Sequence, residues 1–366
     1  MKTLLKRTPL ILLLLAGILF ISCVPALQDF WHEDVGTVVS AHPIATEIGM
    51  DVLREGGNAI DAAVAVGFAM GVVDQFHSGI GGGGFIVIRM ADGTIHTIDG
   101  RETAPAAATR DMYLRNGEFD PSISQEGVLA VGVPGIVAAY EEALDLVGTK
   151  DLAEVIQPSI SVARDGFKLD KPYANVIQET AEKLKTDPAS AAIYLHKDGS
   201  PQAAGEILHQ PDLAATYEKI AAGGVDYFYR GEFAEKLANY MRTNNGLITA
   251  ADMAGYTVRH REPVVGSYRD CEVIGMAPPS SGGVHVLQIL NMLEASGVLE
   301  GKSGWDSESV YLTARFMSQA FEDRSLHLGD SDFYNVPADF LSSQTYADSV
   351  VNVIMSETPA TIPQTG

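Results

Sequence analysis

Arg101 is the residue whose type and position best suit it to bind a ligand. It follows four consecutive glycines (81–84), an apolar segment, a turn and a second apolar segment that ends at Asp99. This pattern predicts a β-hairpin in which a buried strand follows the glycines and Arg101 lies just beyond the return strand. A guanidinium at such a strand end could bind a carboxylate through two parallel hydrogen bonds. The alternative is a surface ion pair with Asp99 or Glu102 beside it.

Other residue patterns that would indicate a catalytic or metal-binding site are missing from the sequence. The nine histidines form no H-E-x-x-H or H-x-x-x-H pair, and the acidic residues near 330 lack the spacing of a calcium loop, so we expect no metal. The glycine run has neither the Gly-Lys-Ser/Thr of a P-loop nor the strand before it that a dinucleotide-binding turn needs, and we expect no cofactor. Ser280 and Ser281 lie outside any G-x-S-x-G elbow and are expected to cap the helix that follows.

Composition and charge favour a protein that acts on small molecules. The formal net charge is −22, from 47 acidic and 25 basic residues, which argues against nucleic acid and against anionic lipid surfaces as partners. With 366 residues, 46% of them hydrophobic, the chain can build one large α/β domain with a substantial core.

The N-terminal residues have the pattern of a secretory signal. Three basic residues within the first seven precede an uncharged apolar run (10–21) that is too short to span a bilayer comfortably. We therefore assign residues 1–22 to a signal peptide and expect export, to the periplasm or to a membrane-tethered position. The letters FISC, which end at Cys23, resemble a bacterial lipoprotein cleavage box, so Cys23 would carry the lipid that is the only membrane contact. An ordinary signal with an incidental cysteine is the alternative.

Seven longer motifs follow one another along the chain. In order they are GIGGGGF, DGRETAP, VGVPGIVAAYEEAL, IQPSISVARDGF, GLITAADMAGYTV, PPSSGGVHVLQILNMLE and FEDRSLHLGDSDF. Together they resemble the large-subunit half of the γ-glutamyltransferases, also called γ-glutamyl transpeptidases or glutathione hydrolases. On this resemblance we assign residues 35–350 to the large-subunit region and residues 351–366 to a linker that leads to the autoprocessing site.

The resemblance implies a fold, an activity and a partner. N-terminal nucleophile hydrolases are four-layer α/β/β/α sandwiches, made as one precursor that cuts itself into a large and a small subunit and exposes a threonine. The threonine hydroxyl, with its own α-amine as the base, attacks the γ-glutamyl amide of glutathione or another γ-glutamyl compound. The γ-glutamyl group then passes to water or to an amino-acid or peptide acceptor. This chain would form a heterodimer with the small subunit from the same precursor, without a cofactor.

Arg101 matches the family arginine that holds the α-carboxylate of the γ-glutamyl group. No Thr-Thr-His-like segment occurs in the sequence, so we expect the threonine nucleophile downstream of Gly366 and no catalytic residue within this chain. The sandwich would then be incomplete, and the chain alone inactive. Two alternatives stay open: a catalytically inactive exported lipoprotein that binds γ-glutamyl compounds, and a relative of the glutaryl or cephalosporin acylases.

Overall fold

The computed structural model describes residues 36–356 and contains both helices and strands. Its helices are α1 (Pro43–Arg54), α2 (Ala59–Val73), α3 (Pro121–Gln125), α4 (Ile136–Val147), α5 (Leu152–Asp165), α6 (Lys171–Leu184), α7 (Pro188–Tyr194), α8 (Pro211–Tyr229), α9 (Glu232–Thr243), α10 (Ala250–Ala254), α11 (Gly282–Ser296), α12 (Ser307–His327), α13 (Ala338–Leu341) and α14 (Gln344–Ser356). Its strands are β1 (Gly84–Arg89), β2 (Ile95–Gly100), β3 (Leu114–Arg115), β4 (Glu118–Phe119), β5 (Phe167–Lys168), β6 (Ile207–Leu208), β7 (Arg259–His260), β8 (Val264–Tyr268) and β9 (Cys271–Gly275).

The sequence predicts a helix from Pro43 to Arg54 and a second over about 59–73 that Asn58 caps, and the structure confirms both. Pro43 occupies the first turn of α1, where the missing N–H costs no hydrogen bond. Asn58 caps α2: its side chain accepts hydrogen bonds from the N–H groups of Ile60 and Asp61, and the Asp61 carboxylate accepts from the Asn58 N–H in return. Because α2 is apolar on nearly every side, it is buried in the centre of the helical layer.

The sheet that carries Arg101 is antiparallel, with the strand order β1–β2–β7. Gly84 lies opposite Gly100, so the predicted hairpin is confirmed and Arg101 follows the last residue of β2. The glycine run allows the two strand ends to come close together. A Cβ atom at Gly83 would lie 2.6 Å from the carbonyl oxygen of Gly100 and 2.8 Å from the Cα of Arg101.

One face of this sheet packs against helices, and the opposite face is covered over the end of β2 but open over part of β1. Ile88 and Ile98 are buried, and a Cβ atom at Gly100 would lie 2.5 Å from Ala139 on α4. Val87 points to the opposite face and is 42% exposed. The prediction of a buried strand after the glycines is therefore only partly right: Ile88 is buried, but Val87 and Arg89 are exposed.

Two hydrophobic clusters hold the described residues together. The larger cluster surrounds α2 and includes Phe68 and Tyr217, whose rings meet edge to face at 5.4 Å while the Tyr217 hydroxyl donates to the Phe68 carbonyl at 3.1 Å. The smaller cluster joins α11, α12 and α14 around Met292 and Phe316. On the outer face of α12, one helical stripe of apolar side chains is exposed: Val310 (56%), Met317 (45%) and Phe321 (59%).

The last helix crosses the predicted boundary at residue 350. α14 continues to Ser356, and Val351 and Ile354 pack in the smaller cluster. The predictions for residues 1–22, for Cys23 and for the end of the linker (357–366) fall outside the described residues. None of the helices between residues 36 and 356 is long and apolar enough to span a bilayer.

Candidate functional site

Arg101 lies exposed in the wall of a cavity of about 730 Å³. Three segments and Pro279 form this cavity: the segments are the end of β2 with the loop after it, the chain from α10 to Arg261, and the loop at 329–333. Its charged lining residues are Arg101, Arg259, Arg261, Asp99, Glu102, Asp252, Asp330 and Asp332. The cavity is thus an open site with charged side chains of both signs in its wall, which suits a charged small molecule.

The main chain of Arg101 is held on both sides. Its N–H donates to Asp99 Oδ1 at 3.0 Å, and its carbonyl accepts from the Tyr256 hydroxyl at 2.8 Å. The Tyr256 ring stacks on Tyr229 with 5.5 Å between centroids, and the Tyr229 hydroxyl donates to the carbonyl of Pro134 at 2.9 Å. Burial raises the pKa of Tyr256, so this hydroxyl keeps the proton that it donates.

The side chain of Arg101 makes no ion pair or hydrogen bond within residues 36–356, and the surface pairing considered above is not formed. Its Cζ lies 5.9 Å from the centre of the Phe85 ring, a cation–π contact that uses one face of the guanidinium. The N–H groups at its edge are therefore available for a carboxylate.

Arg261 is a charged residue of the site that the sequence reasoning missed. Its Nε and Nη2 donate to Asp99 Oδ2 at 3.0 and 2.9 Å, and its Nη1 and Nη2 donate to the two carboxylate oxygens of Asp332 at 2.5 and 3.1 Å. These hydrogen bonds hold the pKa of Asp332 below its ordinary value. Because 162 residues separate Arg261 from Asp99, no local spacing could have signalled the pair.

The loop after Arg101 is fixed by further hydrogen bonds. Thr103 and Val133 exchange backbone hydrogen bonds of 3.1 and 2.8 Å, and the N–H of Ala106 donates to Asp252 Oδ1 at 2.8 Å. Asp252 also forms a capping box with Thr249 at the start of α10, as the spacing of these two residues predicts. This wall of the cavity is consequently anchored at several points.

Ser280 and Ser281 differ in how far they meet the prediction that they cap the helix that follows. Ser280 Oγ accepts from the N–H of Gly282 at 3.2 Å, but Ser281 makes no capping hydrogen bond to the helix. The Ser281 hydroxyl instead accepts from Arg324 Nε at 3.3 Å, because the long side chain on α12 reaches it. Between residues 36 and 356, no group of three or more His, Cys, Asp or Glu side chains could hold a metal ion.

Comparison with known proteins gives one consistent family. The family model described as gamma-glutamyltranspeptidase matches residues 45–365. Over 331 residues the chain is 41% identical to the glutathione hydrolase proenzyme of Escherichia coli (strain K12), covering 89% of this chain and 57% of the relative. It is 42% identical over 339 residues to the acylase ACY 1 proenzyme of Pseudomonas sp. (strain SE83), covering 89% and 60%.

A solved structure extends this result to the fold. The crystal structure of Helicobacter pylori gamma-glutamyltranspeptidase superimposes with a TM-score of 0.86 and 42% identity, covering 90% of this chain and 94% of that chain. The fold is therefore that of the N-terminal nucleophile hydrolases, as predicted. The chain belongs to the gamma-glutamyltranspeptidase family. It spans somewhat more than half the length of the two curated relatives named above.

Proposed function

We propose that this chain supplies the large-subunit part of a γ-glutamyltransferase or glutathione hydrolase, in which Arg101 binds the α-carboxylate of the γ-glutamyl group. The observation that carries the proposal is the unpaired Arg101 guanidinium in an open polar cavity, within residues 36–356 of a chain from this family. A planar guanidinium can hold a carboxylate with two parallel hydrogen bonds, which fixes the orientation of the substrate as well as its position.

The remaining catalytic groups are proposed to lie in the part of the precursor that corresponds to the rest of the relatives. A threonine downstream of Gly366, freed by self-cleavage, would attack the γ-glutamyl amide and hold the acyl group as an ester. The small subunit from the same precursor would be the partner of this chain. Glutathione and other γ-glutamyl compounds would be the donors, and water, amino acids or peptides the acceptors.

Export is part of the same proposal. Residues 1–22 would direct the precursor across the inner membrane, and lipid on Cys23 would tether the enzyme if the cleavage box is used. Mass spectrometry of the mature N-terminus tests this directly. A diacylated cysteine at position 23 supports tethering, whereas an unmodified N-terminus at another residue contradicts it.

An acylase is the second candidate, and the 42% identity to an acylase proenzyme favours it specifically. Glutaryl and γ-glutamyl groups carry a carboxylate at the same distance from the scissile amide, and they differ by one α-ammonium group. Arg101 could therefore bind either group, and it does not distinguish the two reactions. The residues that contact the α-ammonium group must make that distinction.

Sequencing the gene beyond codon 366 is the first experiment. An in-frame Thr-Thr-His-like continuation supports an enzyme, and a stop codon there supports the binding protein instead. The complete precursor is then assayed with a γ-glutamyl anilide and with a glutaryl anilide. Faster turnover of the γ-glutamyl compound supports the proposed function, and faster turnover of the glutaryl compound supports the acylase.

The role of Arg101 is tested by Arg101→Lys in the complete enzyme. We expect the KM for γ-glutamyl anilide to rise about tenfold or more, because lysine cannot form the paired hydrogen bonds, while self-cleavage continues. Arg54→Lys is the matched control: Arg54 lies on α1 and pairs at the surface with Glu47 and Asp51. An unchanged KM in Arg101→Lys would refute the carboxylate-binding role.

A further inference from the structure

Asp99 is the carboxylate best placed to compete with a substrate for Arg101. The two residues are separated by two positions at the end of an extended strand, so their side chains start from the same side of the chain. Asp99 Oδ1 already accepts the N–H of Arg101 at 3.0 Å. A free aspartate in this position would neutralise the guanidinium and occupy its hydrogen-bonding edge.

Arg261 prevents that pairing by occupying the other oxygen of Asp99. Two of its nitrogens, Nε and Nη2, converge on Asp99 Oδ2, and both side chains are mostly buried, with 5% of Asp99 and 14% of Arg261 exposed. The backbone of Arg261 is also bound to β2. Its carbonyl accepts a hydrogen bond from the Thr97 hydroxyl, and its N–H donates to Thr97 Oγ1 at 3.2 Å. Both oxygens of Asp99 therefore accept hydrogen bonds, and Oδ2 is held by the charged side chain of Arg261.

Asp332 fixes the far side of the Arg261 guanidinium. Its two oxygens accept from Nη1 and Nη2, and these two bonds join the 329–333 loop to Arg261. Within the loop, the Asp332 N–H donates to Asp330 Oδ1 at 3.0 Å. Arg261 is thus clamped between two carboxylates and cannot swing toward Arg101. Asp99, Arg261 and Asp332 lie far apart in sequence, and their mutual hydrogen bonds leave the Arg101 side chain unpaired within the described residues.

We propose that Arg261 is a positioning residue that determines affinity for the substrate carboxylate: by holding Asp99, it keeps the Arg101 guanidinium free to bind. The inference rests on the proposed function, since it assumes that Arg101 binds the substrate. It adds a residue whose guanidinium is engaged by carboxylates of the protein and which acts on Arg101 through Asp99.

A double-mutant cycle in the complete enzyme tests this idea. Arg261→Met releases Asp99 to pair with Arg101, and we expect the KM for γ-glutamyl anilide to rise about tenfold with kcat and self-cleavage changed less than about twofold. Asp99→Asn retains an oxygen for the Arg101 N–H but removes the competing charge. In the Asp99→Asn background, Arg261→Met is therefore expected to change KM by less than about threefold.

Thermal stability is measured on every variant to separate positioning from a structural role. Asp61→Asn on α2 is the matched control, because Asp61 is a fully buried, multiply hydrogen-bonded carboxylate far from the cavity lining. Asp61→Asn is expected to lower the melting temperature and to leave the KM for γ-glutamyl anilide unchanged. If Arg261→Met does not fold, Arg261→Lys replaces it in the cycle, with an expected rise in KM of about threefold.

Two outcomes overturn the inference. The first is an unchanged KM in Arg261→Met, and the second is a KM that stays as high in Asp99→Asn/Arg261→Met as in Arg261→Met alone. Arg101→Lys, measured in parallel, separates this failure from failure of the proposed function. A raised KM in Arg101→Lys with an unchanged KM in Arg261→Met rejects only the role of Arg261.

Discussion

Gly83→Ala is the substitution that tests most directly how the glycine run positions Arg101. The added Cβ would lie 2.6 Å from the Gly100 oxygen and 2.8 Å from both Arg101 Cα and Glu102 N, well inside the 3.4 Å at which ordinary contact begins. All three atoms belong to the backbone, so no side chain can rotate away. We expect the strand ends to separate at a cost of about 1–3 kcal/mol, reduced by up to about 1 kcal/mol because alanine restricts the unfolded chain.

Urea denaturation of the chain, followed by circular dichroism, measures this cost. Gly81→Ala is the matched control in the same run, since a Cβ there meets no atom within 4 Å and the backbone is outside the left-handed region. We expect Gly81→Ala to be neutral or slightly stabilising. In the complete enzyme, Gly83→Ala should also raise the KM for γ-glutamyl anilide. Equal free energies of unfolding for the two variants would show that the close approach at Gly83 does not constrain the fold.

Three further predictions follow from single contacts. Burial alone would raise the pKa of Asp61, but hydrogen bonds led by that from Thr149 lower it, so its stabilising effect is present above about pH 4 and lost as the pH falls through the lowered pKa. Asp61→Asn should therefore cost about 2 kcal/mol near neutral pH, with the difference from the parent narrowing in acid; a constant difference contradicts this. Tyr256→Phe removes the donor to the Arg101 carbonyl, so it should lower the free energy of unfolding in urea by about 1 kcal/mol and raise the KM for γ-glutamyl anilide. An unchanged unfolding free energy and an unchanged KM would show that this hydrogen bond does not position Arg101. Phe321→Glu should reduce binding of a hydrophobic dye by the chain, with stability changed by less than about 0.5 kcal/mol; undiminished dye fluorescence contradicts an accessible stripe on α12.

Local sequence signals were sufficient for the hairpin and for the N-terminal ends of several helices. The N-caps of α2 and α5, at Asn58 and Asp151, and the capping box of α10 depend on side chains that reach only three residues along the chain. The glycines before β1 and the turn after it likewise act within a few residues. Such short-range interactions can be read from spacing, and the position of Arg101 at the end of β2 followed from them.

Burial of β1 and capping by Ser281 could not be read in this way. An apolar strand has two faces, and only the packing of other elements decides whether both are covered; here Val87 stays 42% exposed. Ser281 stands where a cap is expected, yet Arg324 on another helix takes its hydroxyl. In both cases the position of segments far along the chain decided the outcome: they leave Val87 uncovered, and they bring Arg324 to Ser281.

The sequence by itself determined that Arg101 follows a β-hairpin that begins after a run of glycines, in a chain of this family. Only the tertiary structure decided whether that arginine is paired or free. Asp99 lies two residues from Arg101, and sequence proximity favours their pairing, but Arg261 and Tyr256, from more than 150 residues away, hold the Asp99 carboxylate and the Arg101 carbonyl instead. The interaction energy of two charged groups depends on the distance between them in space, and the packing of the whole chain sets those distances.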